Sequence, residues 1–324
     1  MAVLEGVPPL NERIEFITVP PERFEEAIEL WLQVFSPDLR AYFENYYYHD
    51  PWYVPECSRA VLVNGVMVSA VHICRRPVRI NGKTVWMGGI ANVATFEQYR
   101  RRGFSSELLR QCVKAMEELG IAFSTLGTGV NRHYAKLGWH SIVTMHPVVT
   151  IREHGRPTSR LRAVPVPWEP FPSAVPALYD AFQQRLPAPF LRNEAYFRGW
   201  WHRRARESSS LYLISDGSTE VGYFLLKAEE KDLRIHEMAI ADGLDTEAIC
   251  LAADLCAGMG KKSFGGEIPL LPGWIDTLRE VGELSMHCEY STMFRPVCMP
   301  MDQLMPVLSA YQSKLQPWWD PDGF

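Results

Sequence analysis

Two Asn-Gly pairs, Asn64-Gly65 and Asn81-Gly82, constrain the fold of this chain more than any other feature. Both residues tolerate positive φ, which a two-residue type I′ hairpin turn demands at its centre. Apolar runs at 60–63 and 66–73 flank the first pair, and a long run at 84–95 follows the second, so three consecutive antiparallel strands are expected. Upstream, residues 13–19 alternate as a half-buried strand. Pro20-Pro21 then opens a helix with Phe24, Ala27, Ile28, Trp31 and Phe35 on its apolar face, and a second short helix is expected after Asp38. Downstream, Leu108, Leu109, Cys112, Val113, Met116 and Leu119 mark one face of a helix that ends at Gly120, before a strand at 121–126. This order predicts an α/β (α+β) architecture, a mixed, mostly antiparallel sheet flanked by helices.

With 324 residues the chain has length for about two such domains. Six prolines (Pro157, Pro165, Pro167, Pro170, Pro172, Pro176) crowd residues 153–176, which cannot form a central strand or a helix interior. The expected division is a first domain at 1–152, a Pro-rich linker at 153–176 and a second domain at 177–324, with the first half folding and binding its ligand alone. Expected helices at 174–185, 193–206 and 246–259, and strands at 211–215, 221–228 and 233–241, repeat the order of the first half. Two tandem copies of one fold follow.

A formal net charge of −5 offers no basic field for nucleic acid or an anionic membrane, and suits a cationic amine. The seven cysteines are odd in number and never form a C-x-x-C pair, so reduced thiols and no metal site are expected. The first residues lack the basic start and apolar core of a secretory signal, and no window reaches the 18 or so apolar residues of a membrane span. A cytoplasmic location is expected.

The chemistry concentrates in residues 92–109. An expected strand ending in Val93-Ala94-Thr95 leads into Arg100-Arg101-Arg102-Gly103, and a helix begins at Phe104-Ser105-Ser106. Unpaired amides at the helix start, the helix dipole and the arginines together suit a pyrophosphate, although solvated arginines on an ordinary turn would look the same. After the next strand comes Asn131-Arg132-His133-Tyr134-Ala135-Lys136-Leu137-Gly138-Trp139.

Arg100-x-x-Gly103-x-Ser105 resembles the R/Q-x-x-G-x-G/A pyrophosphate loop of the GCN5-related N-acetyltransferases, with Ser105 departing from the usual Gly or Ala. Tyr134 and Gly138-Trp139 are similar to the Y-x-x-x-G-F/Y/W end of the same family. The resemblance implies acetyl-CoA as co-substrate, held by Val93, Ala94, Thr95, Arg100, Arg101, Arg102, Gly103, Phe104, Ser105, Ser106 and Asn131. It further implies the Val93 amide as the donor that polarises the thioester carbonyl, and Tyr134 as general acid. Tyr134 could instead be core packing against Trp139.

A finer likeness is to the tandem-domain subfamily typified by the mycobacterial enhanced-intracellular-survival acetyltransferase. The triple arginine carries it in the first half; Phe190-Leu191-Arg192-Asn193-Glu194, Val221-Gly222-Tyr223, Ile235-His236-Glu237 and Met293-Phe294-Arg295 carry it in the second. Members add a sterol-carrier-like third domain whose chain-terminal carboxylate acts as base in that subfamily; this sequence ends at Phe324, which either reaches the first domain or leaves that role unfilled. No pyrophosphate loop occurs in the second half, so no cofactor is expected there. Glu44 and Asp50, within an aromatic-rich stretch at 42–53, are candidates to bind a cationic acceptor, and the stretch could equally be a small aromatic core. His72 or a carboxylate could take the amine proton through water. The implied function is acetyl transfer to a primary amine of a small cationic molecule, aminoglycoside-like or polyamine. Alternatives are a protein-lysine or amino-acid N-acetyltransferase, or a non-catalytic acyl-CoA-binding module.

Overall fold

A computed structural model describes residues 12–324. In chain order the strands are β1 Ile14–Thr18, β2 Ser58–Val63, β3 Val66–Ile80, β4 Lys83–Thr95, β5 Ile121–Gly127, β6 His140–Ser141, β7 Thr144–Ile151, β8 Arg162–Val166, β9 Ser210–Ser215, β10 Glu220–Ala228, β11 Asp232–Ile240, β12 Ser263–Gly266, β13 Gly282–Glu289 and β14 Thr292–Pro296. They form two seven-stranded sheets, ordered β1-β2-β3-β4-β5-β14-β6 and β13-β7-β12-β11-β10-β9-β8. The expected meander is β2-β3-β4. Val63 pairs with Val66 and Ile80 with Lys83 across two-residue turns, and Asn64, Gly65, Asn81 and Gly82 all have positive φ.

Helices cover both faces of the first sheet. On one, helix α1 (Phe24–Val34) buries Phe24, Ala27, Ile28 and Trp31; Phe35, expected on that face, is half exposed because the helix ends before it. After α1 comes the short helix α2 (Arg40–Glu44). On the other face, helix α3 (Phe104–Glu118) packs Leu108, Leu109, Cys112 and Met116 against Val61, Val71, Ile121 and Trp139. Among the described residues, no helix is long and apolar enough to cross a membrane.

The sheets do not divide at residue 152. β7 leaves the first half and lies between β13 and β12 in the second sheet, whereas β14 returns to sit between β5 and β6 in the first. The β7–β13 pairing runs unbroken from Thr144 opposite Glu289 to Ile151 opposite Gly282. The two sheets thus exchange a strand each, and the expected boundary cuts through the second sheet. The Pro-rich stretch also contributes a strand: β8 pairs with β9 at the sheet edge, where Pro165 forfeits no ladder bond on its outer side.

Aromatic packing joins the halves. A π-helical turn at Asn45–His49 meets a second one at Phe197–Trp201; a Cβ on Gly199 would come within 2.7 Å of the His49 carbonyl, so only glycine permits this approach. Tyr46 meets Trp200 edge to face at 5.1 Å, and Trp52 stacks on Tyr196 at 4.5 Å. The 42–53 stretch is therefore a small core shared with the second half.

Candidate functional site

β4 and β5 begin side by side and then part. Their parallel pairing runs from Trp86 opposite Ile121 to Gly89 opposite Thr125, after which β4 continues to Thr95 with β3 alone. A bulge sharpens the parting: His72 faces Ala91 and Ala70 faces Ala94, with Asn92 at φ 53° between them. One edge of β4 beyond Gly89 is thereby left with unpaired backbone groups. The gap is a cleft of about 410 Å³ lined by Ile90, Val93, Thr128, Tyr134, Phe43 and Phe324, among others. The Asn92 Nδ2 is buried at this cleft without a partner among the described residues.

At the far end of β4 the chain turns into α3. Arg100 Nε donates to the Thr95 carbonyl at 3.2 Å, Arg101 adopts φ 63°, and Arg102 pairs with Glu12 while lying 4.8 Å from the Phe104 ring centroid. Gly103 is the residue before the helix, at φ 82°, and a Cβ there would meet nothing within 4 Å. Phe104 is buried and anchors the helix start, leaving Ser105 and Ser106 half-buried beside the open Gly103. The first-turn amides of a helix have no intrahelical acceptor, so the turn presents donors and open space together.

Tyr134 lies in helix α4 (Asn131–Ala135), its ring meeting Trp139 edge to face at 6.3 Å. Trp139 is fixed in turn by its Nε1 donating to Ser124 Oγ on β5 at 3.2 Å. Gly138 makes the return turn at φ 91°; any Cβ there would collide with the Arg295 guanidinium. Burial pushes the Tyr134 phenol above its ordinary pKa, partly offset by a hydrogen bond with Thr128, so it stays protonated at neutral pH.

Phe324 completes the cleft. Its ring lies against β4 where Gly89 leaves room; a Cβ on Gly89 would fall on the ring. An anchored tail brings it there. Arg192 binds Asp322 through Nε at 3.1 Å and Nη2 at 2.7 Å, and Glu237 through two bonds of 2.8 Å, all three side chains fully buried. The Tyr196 hydroxyl donates to Asp322 at 2.7 Å, and Trp200 Nε1 to the Pro321 carbonyl at 2.7 Å. Sequence reasoning quoted Arg192 and Glu237 only as marks of resemblance. No local signal links them to Asp322, and only the tertiary fold brings the three together.

Several expected site residues lie elsewhere. Asp50 is buried in an ion pair with Arg76 at 2.7 Å, and Arg76 stands 4.3 Å from the Trp200 ring centroid and 5.1 Å from that of Tyr196. It neutralises a buried guanidinium and is closed to an acceptor. Glu44 is on α2, 3.6 Å from Arg40, and does not line the cleft. His72 is buried among Trp31, Tyr46, Tyr47 and Tyr53, and burial pushes its pKa down to about 3, which leaves it neutral and out of reach of an incoming amine. Asn131 spends its Nδ2 on Ser141 Oγ and the Tyr290 carbonyl, both at 2.8 Å, tying α4 to β6 and the turn before β14.

Residues 15–142 match the family model described as an acetyltransferase (GNAT) domain. No curated protein matches the chain. Among solved structures, a probable N-acyltransferase from Enterococcus faecalis V583 is similar at a TM-score of 0.71 and 17% identity over 89% of this chain and 73% of that one. A GCN5-related N-acetyltransferase from Anabaena variabilis ATCC 29413 follows at 0.67 and 18%, over 88% and 73%. Eis1 from Mycobacterium abscessus is similar at 0.60 and 12%, over 89% and 74%. These likenesses span both sheets and carry the fold. Residues 15–142 of this chain are thus similar to the acetyltransferase domain of the GNAT family, whose co-substrate is acetyl-CoA.

Proposed function

We propose that the chain transfers acetyl from acetyl-CoA to the primary amine of a small molecule by direct attack in a ternary complex. The observation that carries this reading is the cleft that sets the free edge of β4 opposite Tyr134. The residues suit the donor: the turn at Arg100–Ser106 offers amides, guanidinium groups and an open Gly103 to the pyrophosphate, and the unpaired β4 edge offers strand-like partners to the pantetheine amides. Acetyl-CoA supplies the activated thioester. The Val93 amide polarises the thioester carbonyl as a single oxyanion donor. The neutral amine attacks the carbonyl carbon, the C–S bond breaks, the amine nitrogen gives up one proton to water, the thiolate takes one from Tyr134, and the tyrosinate regains its proton from solvent. The products are the N-acetyl amide and free CoA. The second domain takes no cofactor and walls the acceptor side.

For the acceptor we retain a small cationic amine, because Glu289 and Asp320 line a cavity that meets the cleft at Tyr42 and Phe324. The test is incubation with acetyl-CoA and a panel of an aminoglycoside, a polyamine, free amino acids and a lysine peptide, reading CoA release and the acetyl mass shift. An acetylated small amine is expected. Tight CoA binding with no acetylated product from any member would overturn catalysis in favour of a binding module.

A further inference from the structure

The cavity beside the cleft has a charge pattern that a simple polyamine does not fit. It encloses about 360 Å³ between the two sheets and shares Tyr42 and Phe324 with the acetyl-transfer cleft. Lys314 Nζ binds Glu267 at 2.6 Å, whereas Glu289 and Asp320 have only imidazoles beside them, His146 at 3.4 Å and His236 at 3.5 Å, and burial lowers the pKa of His236. Two guanidinium groups lack a carboxylate partner: among the described residues, none lies within 4.0 Å of Arg204 or Arg234.

Arg204 is the more telling. Its guanidinium lies 4.4 Å from the ring centroid of Tyr42, the residue that forms the wall between cavity and cleft, and its Nε is buried without a hydrogen-bond partner among the described residues. With no carboxylate beside it, the guanidinium lines the cavity as an uncompensated permanent cation, to which an anionic group can add a charge-assisted bond. Arg234 stands further out on the same cavity, where it opens toward His287 and Ser285.

We propose that the acceptor is an amine that also carries an anionic group, a carboxylate or a phosphate, with the amine in the cleft and the anion on Arg204. This rests on the reading of the cleft as an acyl-transfer site. It narrows that reading: a polyamine would place positive charge against Arg204, whereas an amino acid or an amine phosphate would complete it.

Matched pairs test it. Initial rates of CoA release are measured for lysine against cadaverine and for O-phosphoethanolamine against ethanolamine, in the full chain and in Arg204→Gln and Arg204→Lys. Binding of the same compounds is measured by calorimetry. In at least one pair the anionic member should lead by roughly 10-fold or more in kcat/KM; which pair does so separates carboxylate from phosphate. Arg204→Gln should erase the lead while leaving the rate on ethanolamine unchanged and without lowering that on cadaverine, whose second ammonium Arg204 repels, and Arg204→Lys should keep part of the lead. The unaltered rate on ethanolamine also reports that the variant is folded. Equal rates within both pairs, or a lead that survives Arg204→Gln, would overturn the proposal while leaving acyl transfer intact. Anionic compounds that bind through Arg204 with no turnover on any amine would overturn acyl transfer instead.

Discussion

At the scale of single residues, the loop before α3 depends on Gly103. Its φ of 82° is one that a side chain adopts at a cost of about 1–2 kcal/mol, and the space where a Cβ would go is empty. Gly103→Val should therefore leave a folded protein of slightly lower stability whose acetyl-CoA affinity falls at least 10-fold, read by calorimetry, because the branched side chain occupies the approach to the amides. Unchanged affinity would remove the loop from the donor site. The arginines before it divide their work: Arg102 is held by Glu12 and Phe104, whereas Arg101 makes neither contact and is exposed.

At the scale of elements, the tail anchor is the critical assembly. Arg192 is the cation between Glu237 and Asp322, and deleting it would strand two carboxylates in a fully buried site. Arg192→Met should cost about 3–5 kcal/mol, the usual penalty for breaking a buried pair, measured by denaturant unfolding. It should also lower kcat, since Phe324 would lose its seat. A loss below about 1 kcal/mol would mean that the carboxylates find other partners. The elements themselves differ in how legible they were. The meander and α3 were readable because turn chemistry and periodicity are local. Asp50 was not, because a carboxylate amid aromatics reads alike whether it faces solvent or, as here, the buried Arg76. The Arg192 anchor was invisible for the same reason, its partners being joined only by the tertiary fold.

At the scale of the whole molecule, the strand exchange makes the two sheets interdependent. β14 fills the first sheet between β5 and β6, so residues 1–152 alone would lack an inner strand and leave β5 with an open edge. That fragment should fail to unfold cooperatively and should bind no acetyl-CoA; a stable, binding-competent fragment would show that the exchange is dispensable. Sequence periodicity located the strands of this exchange poorly, because it reports which residues are strand-like and not which distant strand they pair with. The placement of Tyr134 across the cleft from β4 is what both halves combine to produce, since β14 and the turn before it hold α4 in place. The most direct test is Tyr134→Phe, with acetyl-CoA affinity and kcat measured together across pH. The variant should bind acetyl-CoA as the native chain does and turn over roughly 10²–10⁴-fold more slowly. Because burial raises the phenol's pKa, the native kcat should hold through neutral pH and decline only above the ordinary tyrosine range, a limb that the variant lacks. Equal turnover in the two proteins, with the same alkaline limb, would contradict the assignment of Tyr134 as the general acid.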